Sequence, residues 1–389
     1  MMRKPAVFVA VILGIIFSAI SSMADLGDVN IHGFISQGYL QSTRYNHYFA
    51  ETEDGTFQFN DMGLNFLTQP ADNLRLGMQF FAKDLGEFGN DEIVIDWAFA
   101  DYRYRNWLGI KVGKFKLTGA IYNAGRDVDT SRACIFLPHA IYDENNRESM
   151  LSHKGIGIYG QLPFNVEYNF SYGVLNIPEN GSVVTRTASE VGGVAEGVDI
   201  DASYMVSLFW NTPLEGLRIG GIASDYSILL YTAGPDIKPF GERYYASVEY
   251  TYNDFLLAAE WTYGEDKLKI MNNGASIFNI KRYSEGWYVM ASYRFIDWFE
   301  CGGYYSIFYP DRNDQDGTAQ KVLLGGDGAE YWLEDVTVFT RFDINASWIA
   351  KFEVHSINGL MNIDFSEVSN PANPRKDSVL FAAKMTYVF

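Results

Sequence analysis

One segment of the sequence concentrates side chains that could act on a passing solute. Residues 118–152 read TGAIYNAGRDVDTSRACIFLPHAIYDENNRESMLS. The charged side chains that we single out in it are Arg126, Asp127, Asp129, Arg132, Asp143, Glu144 and Arg147. Carboxylates and cations held close together create a local field that sorts small ions and zwitterions by charge. The alternative is that these charged side chains only lie on the surface of a solvated outer loop, as most loop charges do.

Two further patterns look like sites, and we interpret both as structural. The sequence GIGIYG at 155–160 matches G-x-G-x-x-G, but a dinucleotide site needs this motif at a turn from a strand into a helix. Here it lies in an alternating pattern with no helix after it, so its glycines are expected to give room. The histidines show no metal-ligand spacing, and they are His32, His47, His139, His153 and His355. We therefore expect no cofactor, no metal and no catalytic residue, and a simply solvated His355.

The N-terminus has the composition of a secretory leader. Arg3 and Lys4 precede an apolar run at 6–17, and Ser22 and Ala24 are the small residues before a cleavage site. The run is shorter than the roughly 20 residues of a spanning helix. We predict a signal peptide at 1–24 and one mature domain at 25–389. Cleavage makes the net charge of −18 two units more negative, which argues against nucleic acid.

The composition of the mature chain points to β structure. Aromatic residues make up 16% of the sequence, glycine occurs 36 times, and segments with helix periodicity are scarce. The two cysteines, Cys134 and Cys301, are too few for a disulfide scaffold, and whether they pair stays open.

Long alternating segments recur along the chain. In 74–83 the apolar side chains take every second position, and Arg75, Gln79 and Lys83 take the others. Strands of about ten residues exceed the globular mean of about five to six and are typical of transmembrane strands. We predict strands at 27–40, 57–68, 74–83, 93–104, 107–117, 153–162, 164–174, 199–211, 217–229, 243–253, 255–264, 283–295, 298–309, 335–344, 347–357 and 378–389.

The connections between these strands alternate between short and long. Even-numbered strands are followed by short turns, and odd-numbered strands by long polar connections such as 175–198, 265–282, 310–334 and 358–377. Aromatic residues crowd the short-turn end, and prolines fall in or beside connections. The pattern predicts an all-β fold, a closed transmembrane antiparallel barrel of about 16 strands with tight turns at one rim.

The final strand fixes which face looks inward. Its odd positions, from Val379 to Phe389, are apolar, whereas Lys384 lies on the even face. A lysine facing hydrocarbon would cost roughly 2 to 4 kcal/mol, so Lys384 is expected in the lumen. By the same parity the lumen wall would carry Arg75, Lys83, Lys111, Arg341, Lys351 and Lys384.

These features together resemble the outer-membrane porins of Gram-negative bacteria. The resemblance covers essentially all of the mature chain and includes the terminal TYVF, while VGKFKLTGAIYNAGRDVDTSR at 112–132 looks like porins of the phosphate-selective type. It implies a homotrimer in the outer membrane, in contact with lipid and lipopolysaccharide. It also implies that Tyr387 and Phe389 are read by the barrel-assembly machinery, and that the third outer loop, 118–152, folds inward to narrow the pore.

We therefore expect a water-filled channel for passive diffusion of small hydrophilic solutes and ions, not an enzyme. Acids on the loop would face bases on the wall and set a transverse field. Net acidity favours cations and divalent-bridged contact with lipopolysaccharide, but the basic wall favours anions, so selectivity stays open. Two alternatives remain: a barrel hydrolase, which needs a nucleophile beside a histidine, and an adhesin or structural barrel without an open pore.

Overall fold

The computed structural model describes residues 28–86, 89–147, 151–179, 181–189, 193–272, 274–363 and 374–389. The signal peptide predicted at 1–24 lies outside these residues. The strands are β1 (Asn30–Ser42), β2 (Phe59–Ala71), β3 (Leu74–Leu85), β4 (Val94–Arg105), β5 (Leu108–Lys116), β6 (Ser152–Leu162), β7 (Val166–Leu175), β8 (Ala195–Ile200), β9 (Ala202–Asn211), β10 (Leu217–Thr232), β11 (Asp236–Tyr252), β12 (Phe255–Asn272), β13 (Ala275–Ile296), β14 (Phe299–Tyr309), β15 (Leu333–Asp343), β16 (Trp348–Gly359) and β17 (Asp377–Val388).

All of these segments join one antiparallel sheet that closes on itself. Strand β1 pairs with β2 on one side and with β17 on the other. Segments β8 and β9 are separated by Asp201 alone and pair with successive parts of β10, so together they form one interrupted strand. The barrel therefore has 16 strands, as the sequence predicted.

The strand positions follow the predicted ranges, but two predicted connections are wrong. Segment 265–282 is expected to be a long loop, yet β12 and β13 continue through it as a hairpin, in which Asn272 pairs with Ala275. Strands β10 and β11 likewise extend through 230–242, which places Pro239 inside a strand, opposite Leu268. The polar composition of these segments suggested loops because the extensions carry charged residues on their outer face.

The register of β17 confirms the predicted inside and outside. Lys384 is 5% exposed in the lumen and contacts the Asp61 carboxylate of β2, whereas Phe381 and Met385 are exposed on the exterior. At the short-turn end, Phe389 exchanges two backbone hydrogen bonds of 3.0 Å with Gly33. A Cβ atom at Gly33 would lie 2.5 Å from the Phe389 ring, so glycine is needed where the two chain ends meet.

Apolar and aromatic side chains cover the exterior. At the short-turn rim the exposed residues include Tyr102, Tyr104, Trp107, Trp210, Tyr252, Phe295, Trp298, Trp348 and Phe389, as expected of an interfacial girdle. The long connections leave the opposite rim, and they contain the short helices α1 (His139–Tyr142), α2 (Ser182–Ser189) and α3 (Thr318–Leu324). Among the described residues no helix is long and apolar enough to cross a membrane.

Both cysteines are free thiols. Cys134 lies in the segment between β5 and β6 and is 1% exposed, and burial raises the pKa of its thiol to about 12. Cys301 lies on β14 opposite Tyr293, on the exterior face.

A lysine placed on the exterior tests the lipid-facing assignment. Val338 lies midway along β15 and is 59% exposed to the outside, so Val338→Lys should lower the free energy of unfolding from a bilayer by roughly 2 to 4 kcal/mol. The matched control, Val29→Lys, sits before β1 at the rim, where the cost should stay below about 1 kcal/mol. Denaturant titration in phospholipid vesicles measures both, and equal costs would contradict the assignment.

Candidate functional site

The segment between β5 and β6 enters the barrel and crosses its lumen. After β5 it forms two single 3-10 turns, Asn123–Gly125 and Asp129–Ser131, and then helix α1. Residues on both sides of this path contact opposite parts of the wall, from β1–β3 to β9–β17. We call residues 117–147 and 151, as far as the structure describes them, the inner loop.

The first attachment of the inner loop is the carboxylate of Asp129. Lys351 Nζ of β16 lies 3.0 Å from Asp129 Oδ1, and Thr386 of β17 donates to Oδ2 at 2.7 Å. Lys384 Nζ follows at 3.7 Å. Burial alone would raise the pKa of Asp129, but Lys351 and Lys384 hold it far below its ordinary value, so the carboxylate stays charged.

Side chains of the wall also donate hydrogen bonds to the loop backbone beside Asp129. Lys351, which is 0% exposed, donates to the carbonyls of Asp129 and Cys134 at 2.6 and 3.2 Å. Arg341 of β15 donates to the carbonyls of Thr130 and Arg132 at 2.8 and 3.0 Å. Such hydrogen bonds provide partners for backbone carbonyls that water cannot reach freely.

Glu353 of β16 also holds the inner loop on the same wall as Lys351. Its carboxylate accepts the backbone N–H groups of Ile135 and Phe136, the latter at 3.1 Å. The Phe136 ring stacks on Tyr48 at 4.6 Å and on Phe59 at 5.2 Å between ring centres. The apolar patch of the inner loop therefore packs inside the barrel, as its sequence suggested.

A second carboxylate holds the loop on the far wall. Glu260 of β12 accepts from the backbone N–H of Ile121 at 3.0 Å and from the hydroxyl of Tyr142. Tyr288 of β13 donates to the same carboxylate at 2.9 Å. Ala140 N donates to Ser306 Oγ of β14 at 3.0 Å. The loop is thus fixed at both ends of its crossing.

A third set of contacts consists of ion pairs near β2, β3 and β5. Asp127 contacts both Lys116 and Arg147. Glu144 lies 2.8 Å from Arg126 and 3.4 Å from Lys83. Burial alone would raise the pKa of Glu144, but Arg126 and Lys83 lower it to about 2.

This arrangement differs from the expected transverse field. Asp127, Asp129 and Glu144 are bonded directly to cations instead of facing them across open water. Four of the predicted wall residues are their partners or lie under the loop: Lys83, Arg341, Lys351 and Lys384. Asp143 differs, because its carboxylate lies 3.5 Å from His139 and accepts from Asn145 N. The pairing removes most of the charge that would act on a solute.

The remaining two wall residues form a separate cluster with aromatic rings. Arg75, whose side chain is 51% exposed, lies 2.9 Å from Asp101. Lys111 Nζ lies 4.7 Å from the centre of the Tyr159 ring, and Arg103 lies 5.9 Å from the same ring. We call Arg75, Arg103 and Lys111 the basic vestibule. It lies on β3–β5, on the short-turn side of the inner loop, and among the described residues its ion pair is that of Arg75 with Asp101.

A small cavity is lined both by Lys111 of the basic vestibule and by Lys116, the partner of Asp127. It holds about 30 Å³, room for about one or two water molecules, between the start of the inner loop and the wall of β5–β9. Its polar lining comes from Lys111, Lys116, Thr118, Tyr159, Asn169, Ser171 and Ser207. This cavity is therefore lined by cations, hydroxyls and an amide.

The parity argument found the cations but overlooked acids of the same strands. Asp61, Glu260 and Glu353 occupy inward positions of predicted strands, so the same alternation could have identified them. His355 is also not solvated as predicted. It is 0% exposed, and its ring nitrogens lie 3.0 and 3.1 Å from the carboxylates of Asp335 and Glu353.

The GIGIYG motif lies in β6, within the sheet, as expected. A Cβ atom at Gly155 would lie 2.6 Å from Gly173 Cα of β7. At Gly157 it would lie 3.1 Å from the Phe115 ring. The glycines allow close contact between strands and room for a ring in the lumen.

Comparison with solved structures relates this barrel to outer-membrane channels. The outer membrane channel DcaP of Acinetobacter baumannii superposes with a TM-score of 0.61 at 11% identity, over 93% of this chain and 97% of that one. Salmonella typhi OmpF gives 0.60 at 13%, over 93% and 97%. The anion-selective porin from Comamonas acidovorans gives 0.58 at 10%, over 93% and 99%. At these identities the likeness shows the fold.

The sequence comparisons add nothing to this. No protein-family model matches the chain, and no curated protein matches it significantly.

Removing one buried cation should loosen the inner loop. Lys351→Met leaves Asp129 partly uncompensated, and breaking a buried pair costs at least about 3 kcal/mol. Backbone hydrogen exchange at 129–136 should accelerate by about 100-fold. The control, Lys321→Met, breaks an exposed pair with Asp327 worth at most about 1 kcal/mol and should leave this exchange unchanged. Equal exchange in both variants would contradict the attachment.

The loop attachment should also fail at acid pH. The lowered pKa values of Glu144 and Asp129 stabilise the folded loop fully above the unfolded-state values near 4; the contribution of Glu144 is lost as pH falls from there through its folded-state pKa of about 2, and that of Asp129 is lost at still lower pH. Hydroxyl-radical footprinting of Phe136 and Tyr142 should stay constant from pH 7 to 5 and rise between about pH 4 and 2. A rise that is complete by pH 6 would contradict this assignment.

Proposed function

We propose that this protein is an outer-membrane porin, a water-filled channel through which small hydrophilic solutes and ions diffuse without chemistry. The observation that carries the proposal is the inner loop. A closed barrel with an apolar exterior has a segment bonded across its lumen by Asp129, Glu260 and Glu353. A barrel that only anchors a surface domain has no need for such a partition.

The inner loop acts in this proposal as the constriction. Its charges Arg126, Asp127, Asp129, Arg132, Glu144 and Arg147 hold it in place, and the passage runs between it and the wall of β3–β9. The selective charges are then those of the basic vestibule, in which Asp101 pairs with Arg75 and no described carboxylate lies within ion-pair distance of Arg103 or Lys111. Unbalanced cations in a narrow passage raise the local concentration of anions, so we propose a preference for small anions.

The proposal includes an assembly and a location. Similarity to outer-membrane proteins, one of them described as a trimer form of OmpT from Vibrio cholerae, supports a homotrimer in the outer membrane of a Gram-negative bacterium. Tyr387 and Phe389, at the closing strand, would be the residues that the barrel-assembly machinery reads. Outer-membrane lipid and lipopolysaccharide would surround the exterior.

A hydrolase finds no support in the described Ser–His contacts. His153 lies 3.1 Å from Ser171 and 2.9 Å from Ser203, and His47 lies 3.0 Å from Ser378. All five side chains are buried, and the small cavity that Ser171 lines has room for only about one or two water molecules beside it. The contacts are those of satisfied lumen histidines.

Planar-bilayer recording tests the channel and its selectivity together. The wild type should give discrete conductance steps, and its reversal potential in a KCl gradient should indicate anion preference. The Arg75→Gln, Lys111→Gln variant should keep the steps and shift the reversal potential toward cations, because it removes vestibule charge. The Lys376→Gln control, in an outer connection, should behave as the wild type.

Two results would correct the proposal in different ways. Absence of conductance from folded, inserted barrels would reject the porin function and favour an adhesin or structural barrel. Conductance with a reversal potential indifferent to Arg75→Gln, Lys111→Gln would keep the pore and reject the basic vestibule as its selective region.

A further inference from the structure

The wall of the basic vestibule carries aromatic rings as well as cations. Trp97 and Phe99 lie on β4, and Tyr159 lies on β6. Trp97 pairs with Gln79 and Phe99 with Gly77, two residues either side of each other on the lumen face of β3. All three rings are half-buried, and because they point inward their exposed part is turned toward the lumen.

The rings and the cations occupy successive rows across β3–β6. Residues of one row are direct cross-strand neighbours, and the rows are Gly77 and Phe99, then Arg75, Asp101 and Lys111, then Arg103, Gly109 and Tyr159. Neighbouring rows are two residues apart along each strand, which is roughly 7 Å. The row with Lys111 therefore lies between a row with the Phe99 ring and a row with the Tyr159 ring.

Glycines opposite the rings let them lie against the wall. A Cβ atom at Gly77 would lie 2.9 Å from the Trp97 ring and 3.2 Å from the Phe99 ring, and one at Gly109 would fall on the Tyr159 ring. The rings thus cover backbone on one side. Trp97 and Phe99, with ring centres 5.4 Å apart, form one aromatic surface, which we call the ring platform.

Two cations flank the ring platform. The Arg75 guanidinium lies 5.6 Å from the centre of the Phe99 ring, and Lys111 Nζ lies 5.9 Å from it. Tyr159 holds Lys111 on its other side at 4.7 Å and donates its hydroxyl to Asp101. A group placed between the two cations is therefore beside the edge of the platform.

The acids around the platform leave these cations partly uncompensated. Asp101 lies opposite Lys111 but forms its ion pair with Arg75, and Asp72, in the turn before β3, is exposed at the rim. Within the part of the chain that the structure describes, Lys111 and Arg103 have no ion pair.

The neighbouring acids along the wall are bonded to other cations. Asp96, the next acid on β4, lies 2.8 Å from Lys116. Glu167 of β7 lies 3.0 Å from Arg218. The rows around the platform therefore keep more positive than negative charge.

We propose that the ring platform and the basic vestibule bind small aromatic carboxylates. The carboxylate of the solute accepts from Lys111 and Arg75, and its ring stacks on Phe99, since ring pairs favour about 4.5 to 7 Å between centres and both cations lie within that range of the same ring. The inference rests on the proposed channel, because diffusion through the lumen brings the solute to this wall.

An aromatic carboxylate uses both features of the wall, whereas simpler solutes use one. Chloride gains from Lys111 but leaves the apolar ring faces in water. A neutral aromatic molecule stacks on Phe99 but brings no negative charge to the cations beside it. Both should therefore bind more weakly than a solute that combines a flat ring with a carboxylate.

Three probes of similar size test this in the refolded, full-length barrel by saturation-transfer NMR. Benzoate has the flat ring and the charge, cyclohexanecarboxylate has the charge without a flat ring, and benzamide has the ring without the charge. Benzoate should bind about 3- to 10-fold more tightly than cyclohexanecarboxylate and at least about 10-fold more tightly than benzamide. Equal affinity for benzoate and either analogue would overturn the proposal.

Substitutions separate the contribution of the ring from that of the charge. Phe99→Leu should lower the affinity for benzoate about 3- to 10-fold and change that for cyclohexanecarboxylate by less than about twofold. The control, Phe381→Leu, makes the same change on the exterior of β17 and should leave both affinities unchanged. Equal losses in Phe99→Leu and Phe381→Leu, or equal losses for both carboxylates in Phe99→Leu, would contradict stacking on the platform.

A second variant keeps the test independent of how Phe99→Leu folds. Lys111→Gln should weaken both carboxylates by about 10-fold and leave benzamide unchanged, because it removes charge and keeps the ring. Unchanged benzoate affinity in Lys111→Gln would overturn the proposal.

Conductance, recorded separately, distinguishes this site from the channel. Selective benzoate binding to a barrel that does not conduct would reject the proposed channel and keep the site. Conductance from a barrel that binds benzoate no better than its analogues would keep the channel and reject the site.

Discussion

The structure depends on one constraint, that a sheet in hydrocarbon can have no unpaired edge. Strand β17 meets this constraint by pairing with β1 along its length, from Ser42 opposite Leu380 to Phe34 opposite Val388. Closure divides every strand into an exterior face for lipid and an interior face for whatever fills the lumen. Lys384, Asp61 and Thr386 can therefore be polar because their faces never meet lipid.

Inside that wall the lumen is organised by charge compensation. A loop that crosses a narrow lumen needs partners for its backbone and its charges, because water reaches them poorly. Lys351 and Glu353, two residues apart on β16, supply both kinds of partner. Lys351 pairs with the carboxylate of Asp129 and donates to two backbone carbonyls of the loop. Glu353 accepts hydrogen bonds from two backbone N–H groups of the loop. The inner loop is held by the wall more than by its own short helix, α1.

The sequence predicted the wall far better than the loop. Apolar residues alternate with polar ones along the membrane-spanning strands because lipid lies on one side of them. The inward position of Lys384 and the pairing of the last strand with the first could therefore be derived from the sequence. The extensions of β12 and β13 beyond the membrane escaped this argument, since water on the outer face permits Lys267 and Glu265 where alternation was sought. The contacts of Asp129 could not be derived either, because they join positions more than 200 residues apart.

The same reasoning changes how charges in this barrel should be interpreted. A carboxylate on the inner loop looks selective in the sequence, but Asp129 with Lys351 and Glu144 with Arg126 are attachments, so neutralising either acid leaves a cation uncompensated and releases the loop. Arg75 and Lys111 lie elsewhere, beside Asp101 and the Tyr159 ring, on the wall that would face the proposed passage. In the proposed channel, the charges that attach the inner loop and the charges that would act on a solute are therefore separated in space, and direct ion pairing between loop and wall distinguishes the first group.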